Sequence, residues 1–87
     1  MNLVMIAVTI SNFAFGPANL TVKPGTEVVW TNRDEEPHTV VSPGPGVTFK
    51  SAGLDHNESF AVTFDKPGSY RYFCSIHPQM TGTITVE

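Results

Sequence analysis

Four breaks built from proline and glycine constrain this chain more than any other feature: Gly16-Pro17, Pro24-Gly25, Pro43-Gly44-Pro45-Gly46 and Pro67-Gly68. Proline fixes φ and lacks a backbone donor, and glycine favours turns, so each break ends whatever regular element reaches it. Between the breaks, apolar residues alternate rather than recur at helical spacing. Met1 to Ile10, with Val4, Ile6, Val8, Thr9 and Ile10, reads as a first strand. Ser11 to Pro17, with Phe13 and Phe15, reads as a kink or bulge. Leu20 to Val22 is a short strand, and Lys23 to Thr26 a turn whose Pro and Gly favour type II. Glu27 to Asn32 is the clearest central strand. Val28 and Trp30 share one face and Val29 and Thr31 the other, which suggests cover on both sides. Thr39 to Ser42 is a short strand, whereas Val47 to Glu58 reads as loop with a short strand or helical turn. Ser59 to Phe64 directs Phe60, Val62 and Phe64 inward, and Ser69 to Cys74 groups Tyr70, Tyr72 and Cys74. Thr81 to Val86 closes the chain with Ile84 and Val86 inward. Seven or eight short strands without an amphipathic helix specify an all-β Greek-key β-sandwich, a single domain over residues 1–87.

Within that frame, Tyr70 to Met80 gathers three soft-metal donors at even spacing: Cys74, the sole cysteine, then His77, then Met80. On a continuous strand they would spread over roughly 20 Å, at about 3.3 Å per residue. Metal–ligand bonds are only about 2–3 Å long, so no single ion could touch all three. Pro78 biases His77 away from helix. The chain must therefore leave its strand at Cys74 and turn sharply, with His38 the natural fourth donor. Thioether sulfur is a poor zinc ligand. One thiolate and two imidazoles in a plane, with a weak axial Met, suit copper and one-electron transfer.

These residues resemble the cupredoxins, the blue-copper family that includes plastocyanin and amicyanin. The C-x-x-H-x-x-M spacing with Pro78 after His77 is similar to the short amicyanin-type ligand loop. Gly68-Ser69-Tyr70-Arg71-Tyr72-Phe73-Cys74-Ser75 resembles the strand entering the plastocyanin copper site. Trp30-Thr31-Asn32-Arg33-Asp34, followed by Pro37-His38-Thr39-Val40, resembles the segment supplying the first His. The likeness runs from about Val8 to Val86. It implies one copper ion, a buried His38, and a His77 that reaches the surface through an apolar ring. Pro78 and parts of the Pro43–Gly46 or N-terminal loops would form that ring. It implies further that Asn32 hydrogen-bonds the ligand loop and ties the two ligand segments together. The Thr39 backbone N–H would donate to the Cys74 sulfur. Phe73 takes the place of plastocyanin's exposed Tyr, on the opposite face from Cys74. In short-loop relatives this second His can protonate and leave Cu(I).

Other residues read more plainly. His56 sits in a polar stretch and is expected to be solvated; Met1 and Met5 could replace Met80, but no spacing favours them. Asp34-Glu35-Glu36 reads as a solvated loop that could steer a basic partner. The net charge of −3 argues against nucleic acid. No run approaches the ~20 apolar residues of a membrane span. Met1 to Ile10 has no basic leader or small-residue cleavage site, so a mature or trimmed form is expected. The reading is a soluble, monomeric, extracytoplasmic (periplasmic) electron carrier, not an enzyme. By the resemblance it exchanges electrons with redox proteins, a c-type cytochrome or a dehydrogenase or oxidase, through the His77 edge. A copper buffer or delivery protein, or a copper domain of a larger oxidase, are the alternatives.

Overall fold

A computed structural model describes residues 4–44 and 48–87. Nine strands run through them: β1 (Met5–Ser11), β2 (Ala14–Gly16), β3 (Asn19–Val22), β4 (Thr26–Asn32), β5 (Val41–Ser42), β6 (Phe49–Lys50), β7 (Ser59–Phe64), β8 (Gly68–Phe73) and β9 (Thr81–Val86). They form a four-stranded sheet, β2-β1-β4-β7, and a five-stranded sheet, β3-β9-β8-β5-β6. Both are mixed, because β1 runs parallel to β4 and β3 parallel to β9, while the other pairs are antiparallel. No helix occurs among the described residues. The all-β sandwich read from the sequence is the fold, with more strands than the seven or eight anticipated.

The surplus comes from pieces too short to show alternation. β2 lies inside the stretch read as a kink, and β6 inside the segment that carried no clear pattern. Ser11–Pro17 is in fact a tight hairpin, its register running Thr9 to Gly16 and Ser11 to Ala14. The strand expected from Thr39 is shorter and begins at Val41. His38 instead makes an isolated antiparallel bridge with Leu54. Parts of the first strand and of the Pro43–Gly46 break, together with Met1 and Val47, lie outside the described residues. Gly25, at φ +91°, supplies the left-handed residue of the turn before β4, as a type II turn requires.

β4 is central, between β1 and β7, and its burial alternates strictly. Thr26, Val28, Trp30 and Asn32 are buried, while Glu27, Val29 and Thr31 are half-buried. The cover on both faces is thus complete on one side only. Trp30 anchors the core: its ring lies 5.3 Å from Tyr72, 5.8 Å from Phe49 and 6.1 Å from Phe60. Val8, Ile10, Phe15, Val40, Phe64, Tyr70 and Ile84 complete the apolar layer. Phe60 and Val62 point inward but remain half-buried, because β7 is an edge strand.

Tyr72 stands directly across from Gly82 in the β8–β9 ladder. A Cβ built on Gly82 would collide with the Tyr72 ring, so this strand tolerates no side chain there. Overpacking of this kind costs about 1–3 kcal/mol. Gly82→Ala should therefore lower the unfolding free energy of the metal-free protein by that amount, read as a lower urea midpoint; an unchanged midpoint would show that Tyr72 has room to move.

Candidate metal centre

The β8–β9 hairpin explains the loop. Phe73 pairs with Thr81, so residues 74–80 must close between two adjacent antiparallel strands. The Cys74 N–H donates to the Met80 carbonyl at 3.1 Å, and the Met80 N–H to the His77 carbonyl at 2.9 Å. These two bonds curl the loop, and the strand ends before Cys74 as its spacing with His77 and Met80 demands. Cys74 and Met80 are buried, and His77 is half-buried.

His38 arrives from the other sheet, six residues beyond the end of β4. Reciprocal backbone bonds to Leu54, at 3.1 and 2.7 Å, fix its main chain. Its ring is fully buried, with Nδ1 3.8 Å from Cys74 Sγ. His77 Nδ1 lies 3.9 Å from the same sulfur. The donor atoms of His38, Cys74 and His77 all fall within 4.8 Å of one another. Donors about 2.0–2.3 Å from a common centre stand roughly 3.5–4 Å apart in a trigonal plane. The two sulfur–nitrogen spacings and the softness of the sulfur are thus those of a metal site, and three of the four sequence-selected donors come together. Met80 closes the same loop from inside the core.

Asp34 is the residue that sequence reasoning missed. Its sequence context reads as solvated loop, yet its side chain is only 12% exposed and Oδ2 sits 2.9 Å from His38 Nε2. The same carboxylate accepts the Asn12 N–H at 2.8 Å and the Phe13 N–H at 2.9 Å. Burial alone would raise its pKa; the Phe13 and Asn12 amides and His38 outweigh that and hold it below the ordinary carboxylate value. The Asp34 carboxylate on Nε2 fixes the His38 ring so that Nδ1 faces the sulfur, the orientation a metal requires. No local pattern flags Asp34. Its four-residue offset from His38 is the one available signal, and it becomes meaningful only once the loop is folded.

Asn32 does not do what the resemblance implied. Its side chain accepts from the Asp34 N–H at 2.9 Å and donates to the carbonyls of Glu36 and Leu54 at 2.9 and 2.8 Å. It braces the loop carrying His38, and its bonds reach no part of the 74–80 loop. The reason is that its oxygen takes the amide two residues on, and its two amide hydrogens are used by Glu36 and Leu54, which leaves nothing for the 74–80 loop. The tie between the two ligand segments is Thr39. Its N–H donates to Cys74 Sγ at 3.4 Å, the geometry anticipated, and its hydroxyl sits 3.8 Å from the same sulfur. The same hydroxyl accepts the Ser75 N–H at 2.7 Å and lies 2.8 Å from Ser75 Oγ.

His56 is exposed as expected, although its Nδ1 comes within 3.3 Å of the Asp34 carbonyl. Met5 is 64% exposed and pairs with Glu27, at the end of β1 away from Ile10 and Asn32, so it cannot stand in for Met80. Phe73 is half-buried at the end of β8. Pro43, Gly44 and Pro78 line one open groove with Phe73, while the ring packed on His77 is Phe13, from the N-terminal hairpin.

With this fold and donor set in place, the chain belongs to the copper binding proteins, plastocyanin/azurin family, whose profile matches residues 3–87. Amicyanin-alpha of Methylorubrum extorquens is 39% identical over 83 residues, 92% of this chain and 70% of that protein. Amicyanin of Paracoccus versutus is 33% identical over 94% of this chain and 64% of its own length. Plastocyanin of Scenedesmus fuscus is 36% identical over 84% of this chain and 86% of its own. The chain therefore spans 64 to 70% of these two amicyanins. A solved Cu(I) form of an amicyanin variant superposes with a TM-score of 0.89 at 30% identity, over 94% of this chain and 81% of that one. A Cu-containing nitrite reductase from Thermus scotoductus also gives 0.89, at 34% identity, over 97% of this chain but 22% of its own.

Burial would push the Cys74 thiol up, but the Thr39 N–H, the His38 ring and the amide and ring of His77 more than offset it and bring the pKa down from 9.0 to about 6. The unfolded thiol binds its proton more tightly than the folded one. Stability from Cys74 is therefore complete above pH 9.0, shrinks through the window below, and is gone once the pH falls past about 6. In metal-free protein the ultraviolet thiolate absorbance should titrate near that lower value. A midpoint near the free-thiol value of about 8.5 would mean that Thr39 and the two imidazoles do not stabilise the anion.

Proposed function

We propose that the protein is a type 1 copper protein that carries single electrons. His38, Cys74 and His77 form the strong trigonal plane and Met80 the long axial bond. The observation that carries this reading is the convergence of a depressed thiol and two imidazole Nδ1 atoms in a buried pocket, beside a buried methionine. Such a shell suits Cu(I) and Cu(II) about equally, so the couple can turn over with little rearrangement of the protein. His38 is sealed in the core, whereas His77 is half-buried, so its outer edge is the route for electrons.

The partners of this reading are redox proteins, a c-type cytochrome or a dehydrogenase or oxidase, docking transiently on a monomer in an extracytoplasmic compartment such as the periplasm. Glu35 and Glu36 are exposed beside the centre and would favour a basic docking face. Catalysis by this chain is not part of the proposal. The one cluster of three or more metal-binding side chains among the described residues is the one already occupied by this role. A copper buffer would share the ligands but would release its metal readily and exchange no electrons.

Copper-loaded protein should show an intense visible thiolate-to-copper band, lost in Cys74→Ser, and should be oxidised or reduced by a c-type cytochrome in stopped flow. Persistence of the band in the variant would refute the ligand assignment. A full band with no electron exchange, joined to rapid loss of copper to a chelator, would favour the buffer.

A further inference from the structure

We propose that Phe13 is the gate past which the metal enters and leaves this site, and that Asp34 is the positioning residue that latches it. The inference rests on the copper-site reading above, but its observations lie outside the ligand set. They begin with a local conflict. The β1–β2 hairpin turns on Asn12 and Phe13, at φ 53° and 57°, so both central residues are left-handed. Two-residue turns of this kind strongly prefer Asn-Gly, because glycine alone takes the second position without steric cost. A phenylalanine there is disfavoured by its own backbone and must be held by something else.

Asp34 holds it. Its carboxylate accepts both strained amides, Asn12 at 2.8 Å and Phe13 at 2.9 Å, and Oδ2 also meets His38 Nε2 at 2.9 Å. One side chain thus binds the tip of the hairpin to the buried imidazole. The consequence is the placement of the Phe13 ring. It stands edge-on to His38 at 5.3 Å and to His77 at 5.0 Å, while the two imidazoles lie 5.0 Å from each other. Three aromatic rings close a triangle over the donors.

Burial decides where an ion can pass. His38 and Cys74 are fully buried and Met80 is 3% exposed, so His77 is the donor that reaches the surface. Phe13 packs on it and is itself 43% exposed. His77 can swing outward only if Phe13 yields, and Phe13 can yield only if the turn lets go of Asp34. A ring that merely filled space would need neither the disfavoured backbone nor the paired amide bonds.

The test uses Phe13→Gly, which removes the ring while giving the hairpin the residue its backbone prefers, so the fold is retained. Two edge contacts between aromatic rings are lost, and copper release from loaded protein to excess EDTA should quicken roughly tenfold or more, with the visible band unchanged. Asp34→Asn should quicken release in the natural background and add little, about twofold at most, once Phe13 is glycine. In the metal-free chain, Asp34→Ala, which removes both acceptor oxygens, should strip the Asn12 and Phe13 amides of protection from hydrogen exchange while Trp30 and Tyr72 stay protected. Release from Phe13→Gly at the natural rate, or effects of the two substitutions that simply multiply, would overturn the gate. Unchanged protection of the two amides would overturn the latch, whether or not the chain takes up copper. A chain with both amides loosened but no visible band would instead tell against the copper-site reading alone.

Discussion

The centre depends on joining two segments that lie 36 residues apart in the chain, and Thr39 makes that join. Its amide points at the Cys74 sulfur, and its hydroxyl bonds both the amide and the side chain of Ser75. A buried thiolate is costly unless donors surround it. Here the donor is backbone, which no side-chain substitution can remove, and it is rigid because His38 and Val40 on either side are fully buried. The donors that would surround a metal are therefore held in place by protein–protein bonds alone. An electron carrier needs this, since any rearrangement between oxidation states would appear as an activation barrier.

The sandwich explains why the two segments can meet at all. β4 belongs to one sheet and delivers the His38 loop, whereas β8 and β9 belong to the other and are closed by the Cys74–Met80 loop. The site thus sits at one end of the sandwich, where the sheets' connections face each other and water lies within reach of one ligand. A centre in the middle of the core would be sealed from partners; one on an open sheet face would lose the burial that sets the sulfur apart from solvent.

Legibility in the sequence followed the range of the interactions. The C-x-x-H-x-x-M loop was readable because its geometry is enforced locally, by a strand end, a proline and a short closure. The alternating strands β4, β7, β8 and β9 were readable because one face of each meets the core. Asp34 was not readable, because its partners Asn12 and Phe13 are 22 and 21 residues upstream and arrive only through the parallel pairing of β1 with β4. Phe13 was obscured for a related reason. An aromatic before Gly16-Pro17 looks like core filler, and nothing nearby announces a left-handed backbone. The likeness credits Asn32 with too much: its bonds go to its own loop and to Leu54, and the bridge to the Cys74 segment belongs to Thr39.

A domain this small buries only about 60–65% of the surface of its unfolded chain, so its stability margin is thin. A metal that binds only the folded state adds to that margin by mass action. The polar contacts around the centre work in the same direction before any metal arrives. Asp34 ties hairpin, loop and imidazole together, Asn32 closes the loop on Leu54, and Thr39 spans the two sheets' connections. Each satisfies a buried or half-buried polar group that would otherwise oppose folding. The network that orients the ligands is thus also part of what folds this end of the sandwich, and for that reason the donor geometry can precede the ion rather than be drawn together by it.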